Sequence, residues 1–60
     1  MYFFLAHYIN MDTDTEITKK IEFDGQFAES EIEIYLFAMT RAYKMKKENE
    51  MFSSLEFIYC

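Results

Sequence analysis

The chain has 60 residues, a net charge of -5, and a composition 52% hydrophobic and 28% charged. That length makes one compact domain over residues 1–60, burying only ~60% of the surface its unfolded form exposes. The composition excludes a disordered polymer, and the acidity excludes direct attraction to nucleic acid or anionic membrane, which need a basic surface.

Residues Tyr2–Asn10 are β-rich in type and apolar on both alternating faces. Phe3, Leu5 and Ile9 lie on one side, and Tyr2, Phe4 and Tyr8 on the other. A strand of that kind belongs in the centre of a sheet. The run is too short to span a bilayer. It also lacks the basic leading region and small-residue cleavage site of a signal peptide. With a lone cysteine, Cys60, and no export signal, the expected compartment is the cytoplasm.

Residues 11–14 form a polar connector of hairpin length, with Asp12 and Asp14 as turn formers. From Thr15 to Phe23 the alternation is cleaner. Ile17, Lys19, Ile21 and Phe23 share one face, and Glu16, Thr18, Lys20 and Glu22 take the other. This is an edge strand guarded by charge, closed by an Asp24-Gly25 turn.

Ser30 with Glu33 three residues later has capping-box spacing, opening a helix over 30–47. Phe27 is placed to pack on its first turn, and Asn49 to end it. Eighteen helical residues cover ~27 Å, close to the ~26 Å of an eight-residue strand. Residues 51–59 then read as a last strand, with Leu55, Phe57 and Tyr59 facing one way. Phe52, Glu56 and Ile58 face the other.

The order is β-β-α-β. Returning over one sheet face, the helix delivers the last strand beside the first. The expected fold is α+β, one helix on a three-stranded antiparallel sheet of order 2-1-3.

At 100° per residue, Ile32, Tyr35, Leu36, Met39, Ala42 and Tyr43 form a stripe wide enough to cover the sheet. That leaves Ile34, Phe37, Ala38 and Met45 on the far side around Arg41, where a solvated face should be polar. With 7 Phe and 5 Tyr in so short a chain, surplus apolar surface is expected at a contact with another chain. One Cys and one His allow no internal disulfide and disfavour zinc. Added stability must therefore come from oligomerisation or a permanent partner, and a homodimer is expected.

Acids Asp12, Asp14, Glu16, Glu22, Asp24, Glu29, Glu31 and Glu33 crowd the first half of the chain, while Arg41, Lys44, Lys46 and Lys47 cluster late in the helix. Acids at a helix N-terminus and bases at its C-terminus complement the macrodipole. The topology still gathers Glu22, Asp24, Glu29, Glu31 and Glu33 at one end, with no base expected beside them. Such an end can steer the protein to a basic groove.

Catalytic signatures are absent: no phosphate loop, metal-spaced set or nucleophile motif occurs. His7 sits in an apolar strand and reads as structural. Glu22 and Asp24 could pair as carboxylates, but no cleft accompanies them. The 12–16 segment has the alternating oxygens of a calcium loop without its glycine or final glutamate.

No enzyme, cofactor or metal is expected. The reading is a protein-binding module, an inhibitor or adaptor that blocks a nucleic-acid-acting protein. Glu29, Glu31 and Glu33 would steer, while Ile34, Phe37, Arg41 and Met45 would anchor the contact. In size, acidity and element order the chain resembles the small counter-defence proteins of phages. Examples are the nucleic-acid mimics that inhibit uracil-DNA glycosylase, and anti-CRISPR proteins. The resemblance is one of general character and matches no motif residue by residue. The alternative is a structural homo-oligomer subunit with no separate target.

Overall fold

The computed structural model describes residues 1–24 and 30–59. Strand β1 (Tyr2–Asn10) is followed by β2 (Thr15–Phe23), helix α1 (Glu31–Met45) and β3 (Glu50–Tyr59). The sheet order is β2-β1-β3, antiparallel throughout. This is the expected β-β-α-β arrangement with the most apolar strand in the centre. No described helix is long and apolar enough to cross a membrane. The Gly25 half of the expected turn, with Phe27 and Glu29, lies outside the described residues.

The β1–β2 hairpin is set by its side chains. The Asn10 Oδ1 accepts hydrogen bonds from the backbone N–H of Asp12 at 2.9 Å and of Thr13 at 3.2 Å. Asp14 closes the loop with φ 56°, a left-handed value that aspartate tolerates better than most residues. The Met11 N–H donates to the Asn49 carbonyl at 2.8 Å, tying the hairpin to the start of β3.

Side chains facing α1 from β1 and β2 follow the alternation: Phe4, Ala6, Tyr8, Ile21 and Phe23 are buried, with Ile17 beside them. On β3 simple alternation fails. The register passes from His7↔Ser54 to Tyr8↔Phe52, and from Phe3↔Tyr59 to Phe4↔Phe57. Each shift inserts one residue, a β-bulge, which reverses the face of everything beyond it. Phe52 therefore joins Leu55 against the core, correcting the expected opposition of those two. Tyr59 moves to the open face, where its ring stacks on Phe3 at 5.1 Å.

The helix is rotated from the expected orientation. Its sheet-facing residues are Ile34, Ala38 and Ala42, with Met45 partly buried beside them. Ile32, Tyr35, Leu36 and Tyr43 are exposed. Volume is the reason. The sheet already presents Phe4, Tyr8, Phe23 and Phe52 to the layer between, so alanines at 38 and 42 let the middle of the helix approach at full packing density. That approach is close enough for the Tyr8 hydroxyl to donate to the Ala42 carbonyl at 2.6 Å.

The Ser30 side chain accepts from the Glu33 N–H at 3.3 Å, as the cap spacing implies. The helix stops at Met45 rather than Lys47, because Lys46 turns extended at ψ 132° and its N–H bonds Tyr43 instead. Two carbonyls of the last turn then take partners from the sheet: Ala42 from Tyr8, and Met45 from the Lys19 Nζ at 2.8 Å. These bonds satisfy groups that every helix C-terminus leaves open.

Replacing Tyr8 with Phe is expected to cost about 1–2 kcal/mol in urea denaturation, by stranding the Ala42 carbonyl. Burial first, and the Glu50 charge second, raise the Tyr8 hydroxyl above its ordinary 10.0. A raised value means stability is complete below pH 10.0 and is lost as pH climbs through the folded value. Tyr8→Phe should lack that part of the alkaline loss.

Candidate interaction surface

Three surfaces hold the chemistry: a buried ion pair under the helix C-terminus, the open face of the sheet, and the outer faces of α1. The ion pair is structural. Glu50 is 3% exposed, and its Oε1 accepts from the Lys19 Nζ at 2.6 Å and the Lys47 N–H at 2.9 Å. Lys19 also lies 4.6 Å from the centre of the Tyr8 ring. These bonds, the Lys19 bond first, hold the Glu50 carboxyl below its ordinary value despite burial, which alone would raise it. Sequence reasoning missed Glu50. The available signal was Lys19, a cation on an apolar strand face that needs an anion opposite.

On the open sheet face, Phe3, Leu5, His7 and Ile9 of β1 are half-buried between two flanking rows. Glu22, Lys20, Thr18 and Glu16 stand opposite them on β2. Tyr59, Glu56, Ser54 and Met51 stand opposite on β3. His7 ties the three strands together: its Nδ1 lies 3.2 Å from both Glu16 Oε1 and Thr18 Oγ1, and its Nε2 lies 3.0 Å from Glu56 Oε1. Both imidazole nitrogens are thus engaged by neighbours on this face. Among the described residues no three His, Cys, Asp or Glu side chains are placed to hold a metal ion.

The solvent side of α1 is divided lengthwise. The Phe37 ring packs at a tilt against Phe23, centroids 4.7 Å apart, and the Arg41 Nη1 donates to the Glu22 carbonyl at 3.4 Å, so these residues mark the β2 side. Glu33, Thr40 and Lys44 share that flank at 100° per residue. Tyr43 against Phe52, at 5.1 Å, marks the β3 side. Ile32, Tyr35, Leu36 and Met39 continue it, with Ile32 72% and Leu36 60% exposed. A groove of about 370 Å³ opens below this flank, lined by Tyr2, Phe4, Glu31, Ile34, Tyr35 and Phe57.

No family model, curated protein or solved structure matches the chain. Its surfaces must be interpreted from their own chemistry.

The expected contact residues are only partly brought together. Ile34 is 8% exposed and belongs to the core, and Met45 packs against that core. Neither stands on the outer helix face, because the rotation of α1 turns both toward the sheet. Phe37 is 49% exposed with one ring face on Phe23, and Arg41 is exposed beside it. Glu31 and Glu33 are exposed on the first helical turn. That turn sits at the Tyr2 end of the sheet, since Glu31 lines a groove with Tyr2 and Tyr2 pairs with Phe23. Glu22 and Asp24 share this end. Arg41 reaches it too, so the acidic end has a base beside it that the sequence reading did not anticipate. Glu29 lies outside the described residues.

Proposed function

We propose that the chain is a non-catalytic protein-binding module, an inhibitor or adaptor that occupies the basic surface of a nucleic-acid-acting protein. The observation that carries this reading is the meeting of carboxylates with apolar and planar groups at one end of the molecule. Glu22, Asp24 and Glu33 gather there on the side where Phe37 and Arg41 are exposed, and Glu31 stands at the same end on the groove side. Carboxylates in that setting imitate the phosphate-and-base alternation a nucleic-acid groove accepts, and the net charge of -5 steers approach to a basic target.

The test is capture from an extract of the native host on immobilised protein, eluted with rising salt. A basic nucleic-acid-acting protein should be retained at low salt, released at high salt and displaced by competing duplex DNA. The double substitution Glu31→Gln, Glu33→Gln should weaken its affinity roughly tenfold, as expected for two charges at an interface rim. Capture indifferent to salt and to both substitutions would remove the steering role.

A second reading, a structural subunit whose apolar surface is consumed in self-assembly, is favoured by the undivided apolar flank on the β3 side of α1.

A further inference from the structure

We infer that this flank and the free edge of β3 together form a two-fold interface with a second copy of the chain. The dimer would be a continuous six-stranded sheet with both helices on one face. Four observations lead to it.

The two sheet edges differ. β2 presents Glu16, Lys20 and Glu22 to solvent, the charges that keep an edge unpaired. Along residues 51–59 the only charged side chain is Glu56, and His7 draws it onto its own open face at 3.0 Å. The Lys46 Nζ caps the Glu50 carbonyl at 2.9 Å at the start of β3, but no lysine or proline occurs along 51–59. Its two bulges leave residues 54–57 as the regular stretch between them, so edge pairing is short and needs support from another element.

That support is the helix flank, and its side chains have the right size. α1 lies over the central strand, where Tyr8 bonds Ala42. With strands ~4.8 Å apart, antiparallel pairing of two β3 edges sets the two helix axes about 14 Å apart. Helices in direct contact stand only ~8–10 Å apart. The gap requires long side chains on both helices. The flank supplies Ile32, Tyr35, Met39 and Tyr43, whereas the sheet-facing side of the same helix uses Ala38 and Ala42.

Charge fits as well. A two-fold axis through β3 makes the helices antiparallel, setting Glu31 of one copy, which lines the groove on this side, toward the Lys46–Lys47 end of the other; Glu33 and Lys44 lie on the opposite flank. Two chains of net charge -5 repel each other in most orientations, but not in this one. The area is also sufficient. Ile32, Tyr35, Leu36, Tyr43 and Phe57 are each about half exposed or more. At ~150–250 Å² for a large side chain, they supply most of the ~800 Å² per subunit of a standard interface.

The inference concerns the β3 side of the molecule and the target-binding reading chiefly the β2 side; Glu31 serves both, and Met39→Lys, which leaves Glu31 in place, separates them. Sedimentation of the full chain should show a dimer. Met39 lies at mid-helix, near the axis, where it meets its own copy. Met39→Lys should weaken the dimer at least 100-fold while circular dichroism stays native, because Met39 is outside the core. Lys20→Glu on the β2 edge should leave dimerisation unchanged, and amide exchange at 54–57 should slow as protein concentration rises. A chain that stays monomeric, or a dimer that tolerates Met39→Lys and leaves 54–57 exchanging freely, overturns the interface. Target capture by a monomeric Met39→Lys variant would leave the target-binding reading standing.

Discussion

Phe4→Ala should remove about a third or more of the protein's folding free energy at 25 °C. The Phe4 ring is fully buried in β1, the central strand. It stacks on Phe23 at 5.8 Å and meets Tyr35 and Phe57 edge-to-face at 5.4 and 5.3 Å. It therefore joins both other strands and the helix. Truncating a buried phenylalanine costs about 3–5 kcal/mol, because the lost transfer energy is compounded by a cavity that collapses only in part. A domain of this size holds only about 3–9 kcal/mol in total. The partial exposure of Phe37 predicts a loss of about 1 kcal/mol or less for Phe37→Ala. Urea denaturation followed by circular dichroism separates the two. A Phe4→Ala variant within 1 kcal/mol of the parent would mean that the sheet and helix do not share one core.

Lys19→Met should lower the melting temperature by at least ~10 °C at neutral pH. Methionine keeps the apolar stem and removes the ammonium, so Glu50 stays buried with the Lys47 N–H as its remaining donor. The Met45 carbonyl loses its donor in the same step. The pH profile should change as well. In the parent, the Glu50 carboxyl is held below its ordinary value of 4.5. A depressed value contributes stability that is present above pH 4.5 and lost as pH falls through the lower folded value. Without Lys19 the largest cause of the depression is gone and the Lys47 N–H is left to oppose burial, so the variant has less of this stability to lose on acidification. Its deficit relative to the parent should therefore shrink steadily as the solution is acidified through this range. Thermal melts of both proteins at a series of pH values check the sign, and a deficit independent of pH would exclude Glu50 as the cause.

The strands and their order were legible because a period of two is read directly from residue type. Tyr2–Asn10 is apolar on both faces and Thr15–Phe23 on one, and that difference alone places β1 in the centre. The Ser30–Glu33 spacing fixed the helix start for a similarly local reason. The face that the helix buries was not legible. Its apolar residues run almost all the way round, so a periodicity argument selects the larger side chains, Ile32, Tyr35, Leu36 and Tyr43. Tertiary packing kept Ala42 from the expected stripe but added Ala38 and Ile34 in place of the larger four, since the sheet already fills the space between the layers.

The candidate site inherited that error. Glu31, Glu33, Phe37 and Arg41 remained at the surface, whereas Ile34 and Met45 went inside. The bulges opposite Tyr8 and Phe4 moved Phe52 and Tyr59 to faces that counting by twos denies them.

Local chemistry, then, determined which segments extend, which coils, and which strand lies between the others; backbone preference and alternation act within a few residues. Which side of the helix meets the sheet, where the third strand slips register, and that Glu50 pairs with Lys19 were decided only when the layers met. Each of those outcomes depends on side-chain volume and polar satisfaction across elements distant in sequence.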